Sequence, residues 1–197
     1  MPFSQEIYRS IYGAWRIARF DADAMRHFNL TLQGFWRSFV AAVLLAPFFV
    51  LTNVLNVSDA GAEHLSRDGF GYVTVWLLVW FIAWAVFPIV MVPVAHLLKL
   101  SDVYVPFIIA WNWSSVLMAI ALYPLSMLYG LGIIGQEPVA MLLMAVRITL
   151  FFYGYLVARA SLRCGMATAI GLVVMEFLIS LLILGSANQM IYGGGPL

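Results

Sequence analysis

The sequence carries five apolar stretches, near residues 35–56, 72–98, 104–131, 138–159 and 165–187. Each is about as long as the roughly 20 residues a helix needs to cross a bilayer. Inside hydrocarbon every backbone N–H and C=O must be satisfied within the structure, which leaves helices for isolated segments of this length. The chain is therefore expected to be an all-α integral membrane protein, a bundle of five transmembrane helices. Composition agrees: 64% of the 197 residues are apolar and 10% charged, where a soluble domain carries about a quarter charged residues.

Polar punctuation sets the boundaries. Lys99, Ser101 and Asp102 separate the second and third stretches, and Pro106 follows early enough for the first turn of a new helix. Gly135, Gln136, Glu137 and Pro138 separate the third and fourth. Arg159, Ser161, Arg163, Cys164 and Gly165 form a link so short that the last two helices must be antiparallel neighbours. The chain thus divides into an N-terminal segment, 1–34, a five-helix domain, 35–190, and a short tail, 191–197. With the N-terminus in the cytoplasm, that side collects Arg9, Arg16, Arg19, Arg26, Arg37, Lys99, Arg159 and Arg163, and the outer side only Arg67. Such a bias orients membrane proteins positive-inside, so the C-terminus is expected outside. The first 34 residues lack the short apolar core of a signal peptide, so insertion is expected to rely on the first span itself.

Residues 7–18 have helical periodicity. Ile7, Ile11, Ala14, Trp15 and Ala18 share one face, with Arg9 and Arg16 opposite. That pattern predicts an amphipathic interfacial helix lying on the bilayer, its arginines meeting anionic headgroups. A partner protein or a second copy could use the same face. Asp21 is expected to cap a second short helix through Met25 and Phe28.

Two ionisable residues interrupt the last two spans: Arg147 and Glu176. A charge there is costly and is normally paired or functional. At 1.5 Å per residue they lie roughly 13 and 15 Å below the same surface, so an ion pair fixing helix register is the expected outcome. The alternative is that Glu176 and Arg147 line a solute or proton pathway with Asn112, Ser114 and Ser115 of the third span. Hydroxyls and amides in a span commonly bond across helices for about 1 kcal/mol each. Trp76, Trp80 and Trp84 form a stripe at four-residue spacing, read as packing or lipid contact. Pro47, Pro88, Pro93 and Pro124 each remove a backbone hydrogen bond within a span.

Several chemistries find no signature. A net charge of +1 without a basic stripe excludes phosphate-tracking nucleic-acid binding. One cysteine, Cys164, rules out an internal disulfide and a multi-cysteine zinc site. His27, His64 and His96 fall in separate polar regions. The sequence has no GxSxG, HExxH, Walker or GxGxxG string. No cofactor, metal or catalytic residue is expected.

A polar N-terminal segment, five closely spaced spans and a short outer tail resemble the Yip1-type family of small polytopic membrane proteins over roughly residues 35–190. The string Tyr153, Gly154, Tyr155, Leu156 adds to the likeness, while the amphipathic start and the run Phe35, Trp36, Arg37, Ser38, Phe39 are similar to small bacterial inner-membrane proteins, which implies a bacterial inner membrane. The resemblance implies a trafficking-type or assembly role. The sequence therefore predicts a non-enzymatic membrane scaffold, with a small-solute or proton-linked transporter as the competing reading.

Overall fold

The computed structural model describes residues 3–57, 62 and 65–192 of the chain. His64 and the end of the expected tail lie outside the described residues. Among the described residues the longer helices order as α1 (Phe3–Ala18), α2 (Leu32–Ser38), α3 (Val40–Leu55), α4 (Gly69–Leu97), α5 (Ser101–Gly130), α6 (Gln136–Leu162) and α7 (Met166–Tyr192), with a 3₁₀ turn at Ala24–His27. Among the described residues five helices are long and apolar enough to cross a membrane, α2 and α3 counting together as Leu32–Leu55.

The first long apolar segment is interrupted at Phe39, where α2 gives way to α3. Ser38 lies there, its hydroxyl donating to the Phe35 carbonyl at 2.7 Å and accepting from Asn112 Nδ2 at 2.9 Å. Thr31 starts α2 by accepting the Gly34 N–H at 3.1 Å, and Asp68 does the same for α4 through Gly71 at 2.8 Å. Gly34 also permits a close approach: a Cβ there would stand 1.9 Å from the Asn29 carbonyl oxygen. Gly34→Ala is accordingly expected to lower stability by about 1–3 kcal/mol in denaturant titration. Gly171→Ala, where a Cβ meets nothing within 4 Å, should be neutral by comparison.

Helix α5 is the hub. Of its apolar window 56% is buried, against 17–28% in the other four spans. It packs against α1, α2, α3, α4 and α6, while α7 packs on α4 and α6. Residues Phe107 to Ser114 of α5 are buried without interruption. At roughly 1.5 Å per residue, α4, α5 and α6 all exceed the roughly 30 Å of hydrocarbon.

Helix α1 packs by a face turned round from the stripe read in the sequence. Glu6, Ser10, Gly13, Ala14 and Ile17 are buried, Ile7 and Ile11 are half-buried, and Trp15 is 52% exposed. Small residues at Ser10, Gly13 and Ala14 let the backbone approach its neighbours, and the bulky indole turns outward. Tyr153 of α6 fixes the contact, its hydroxyl donating to the Ala14 carbonyl at 2.8 Å with the Ser114 hydroxyl 3.0 Å away. Arg9 is exposed and reaches the Arg26 carbonyl at 3.4 Å. Arg16 binds Asp21 at 2.6 Å and Tyr12 at 2.9 Å. Asp21 thus closes the end of α1 and accepts the Asp23 N–H at 3.1 Å, so that Asp23, not Asp21, stands at the N-cap position of the 3₁₀ turn, and the Arg16 hydrogen bond holds the Asp21 carboxyl below the usual range.

Candidate functional site

The ring of helices around α5 leaves one gap, because α7 rests on α4 and α6 and barely meets the hub. In that gap lies a cavity of about 380 Å³, walled by α3, α4, α5 and α7. It runs along α5 from Trp111 to Tyr123, roughly 18 Å at 1.5 Å per residue. Outside the cavity, α6 packs beside Trp111 through Gly154, where a Cβ would touch Trp111 of α5 and Val173 of α7 at 3.5 and 3.6 Å.

Helical geometry explains how Glu176 comes to face this space. Ala169, Leu172 and Val173 precede it by seven, four and three residues and are all buried, so Glu176 shares the inward face of α7. Its carboxylate accepts a hydrogen bond from Ser180 at 3.1 Å. Ser180, one turn on, lines the cavity too, as do Asn112, Ser115 and Tyr123. Asn112 is 2% exposed and is held by its bond to Ser38. The Ser115 hydroxyl donates to the Trp111 carbonyl at 3.0 Å. Pro88 lacks the N–H that would bond the Trp84 carbonyl, and both residues belong to the wall.

Aromatic rings form much of the remaining wall. Trp80 stacks on Phe49 at 4.5 Å and 28°, and its indole N–H donates to the Ala42 carbonyl at 2.9 Å. Phe87 and Trp111 lie 5.1 Å apart beside them. The tryptophan stripe thus divides: Trp80 and Trp84 face the cavity, while Trp76 is buried outside it.

The expected ion pair between Arg147 and Glu176 does not form. Among the described residues the ion pairs shown are Arg16–Asp21, Arg26–Asp23 and Arg37–Glu6, and Arg147 is exposed with no bonded partner. The reason lies in where α6 is covered. Arg147 shares a face with the buried Gly154 and Ala158, seven and eleven residues on, but between Val139 and Tyr153 no residue of α6 is buried. Its neighbours Met144 and Ile148 are 67% and 62% exposed. Arg147→Leu is therefore expected to insert normally and to unfold at a higher denaturant concentration, since a lipid-facing arginine costs about 2.5–3.5 kcal/mol at mid-span. A loss of stability would place Arg147 in a structural contact instead.

Of the polar residues singled out in the sequence, the cavity gathers Glu176, Asn112 and Ser115. Ser114 is fully buried and serves Tyr153 on the other side of α5. Ser180 could have been found from its four-residue spacing to Glu176. Ser38 and Tyr153 carried no comparable signal.

A second, polar hollow lies between α1 and α2, lined by Glu6, Arg9, His27, Asn29, Gln33 and Arg37. Its charges satisfy one another: Glu6 takes Arg37 at 2.7 Å and Asn29 at 2.9 Å. Burial, then the neighbouring Arg26, Arg16 and Arg9, pushes His27 below the ordinary histidine range. This hollow fastens the N-terminal unit to the bundle.

Compared with models of protein families, with curated proteins and with solved structures, the chain shows no match.

Proposed function

We propose that the chain is a membrane-embedded small-solute binding protein of the transporter or channel kind, with the cavity around Glu176 as its solute site. The observation that carries this reading is a mid-span carboxylate that opens onto a cavity and has no cationic partner among the described residues. An unpaired charge inside a span marks a substrate or ion pathway more often than a structural contact. The walls mix apolar surface with a few convergent polar groups, the usual constitution of a small-molecule site.

The scaffold reading, and the trafficking-type role that a Yip1-like resemblance implies, needs a free surface on α1. Much of that helix is spent on packing against α5 and α6, so we place the activity in the cavity. Within the same proposal the protein sits in a bacterial inner membrane with α1 on the cytoplasmic side, and it performs no covalent chemistry.

Flux tests the reading. Vesicles reconstituted with the protein and loaded with a labelled amine, sugar or carboxylate should release at least one of them faster than protein-free vesicles, and Glu176→Gln should remove that release. Retention of all three solutes, or equal release by wild type and variant, would contradict it.

A further inference from the structure

We infer that the occupant of the cavity is a small organic cation. This rests on the solute-binding reading above and narrows it to one chemical class. Charge is the first argument. Glu176 is the sole ionisable acid or base of ordinary pH range among the lining residues, with no lysine, arginine or histidine beside it. The cation expected from the sequence, Arg147, is exposed on α6 and is not among the residues that line the cavity. A carboxylate so placed is left to be matched by whatever enters.

The walls make the second argument. Phe49, Trp80, Trp84, Phe87, Trp111 and Tyr123 all line the space. Ring faces carry the negative part of the aromatic quadrupole and attract organic cations within about 6 Å. Trp80 has its N–H directed away to Ala42, so the indole edge is already used. An anion would meet both Glu176 and these faces. A hydrated metal ion needs about six oxygen ligands, and these mainly apolar walls cannot replace its water. A cation with an apolar skin gains from both features at once, and about 380 Å³ is in the range of small-molecule sites.

The test compares benzyltrimethylammonium with its uncharged carbon isostere, neopentylbenzene, against the full chain in lipid nanodiscs. Quenching of tryptophan fluorescence reports occupancy, since Trp80, Trp84 and Trp111 line the site. Saturable quenching by the cation is expected, at least tenfold tighter than by the isostere. Glu176→Gln should weaken the cation at least tenfold and leave the isostere unchanged, and Trp84→Leu should weaken the cation severalfold. Equal binding of both probes by wild type would overturn the cation class while leaving a solute site in place. Saturable binding of neither would overturn the solute site as well.

Discussion

Replacing Arg37 with methionine is expected to destabilise the N-terminal unit by about 2–4 kcal/mol, because it strands a buried carboxylate. Glu6 is 5% exposed and takes its main support from Arg37 at 2.7 Å, with Asn29 adding a second bond at 2.9 Å. Arg37 itself is 33% exposed, so water tempers the loss and the lower part of the range for breaking a buried pair applies. Glu6→Gln keeps an acceptor for Asn29 and should cost less. The double variant Glu6→Gln, Arg37→Met should recover more than half of the single-variant loss, because the uncompensated charge is gone. Proteolysis between α1 and α2, together with thermal unfolding, reads all three. Equal losses in Arg37→Met and the double variant would show that the carboxylate is not what Arg37 supports.

Trp113→Ala should cost about 3–5 kcal/mol in reversible unfolding from mixed micelles. Trp113 is 1% exposed, the largest fully buried side chain of the hub helix. In lipid the hydrophobic effect does not drive helices together, so close packing carries their association and an unfilled space is not recovered elsewhere. Ile120, on the same helix but 64% exposed, supplies the contrast: Ile120→Ala should change stability by less than about 1 kcal/mol. If the two substitutions cost the same, α5 is not the packing centre of the bundle.

The five spans were legible because apolar length alone demands them. Their boundaries were read to within a few residues, and the stretch expected at 138–159 is the longer helix Gln136–Leu162, since Glu137 and Arg159 are easily carried in helical ends. The break at Phe39 was hidden, because an unbroken apolar run from 35 to 56 says nothing of the Ser38 to Asn112 bond that accompanies it. For Arg147 and Glu176, spacing suggested a pair that the packing does not make. Counting along a helix says nothing of how far its neighbours cover it, and the part of α6 that carries Arg147 is left open. Glu176 fell among Ala169, Leu172 and Val173 on a face that could be inferred from period alone. The cavity itself could not be, as it arises from how α7 seats on α4 and α6.

Access of water-borne reagents to the cavity decides the account most directly. Cys164 is the single cysteine, so Cys164→Ser gives a background without thiols. On it, Ser180→Cys places a thiol in the cavity wall beside Glu176, and Leu182→Cys places one on the outer face of the same helix, where Leu182 is 70% exposed. In membranes treated with a small cationic methanethiosulfonate, Ser180→Cys should be modified while Leu182→Cys stays unmodified. Modification of Ser180→Cys should slow when benzyltrimethylammonium is present at saturating concentration. If Ser180→Cys is as inert as Leu182→Cys, Glu176 is sealed from water and the chain has no solute site there.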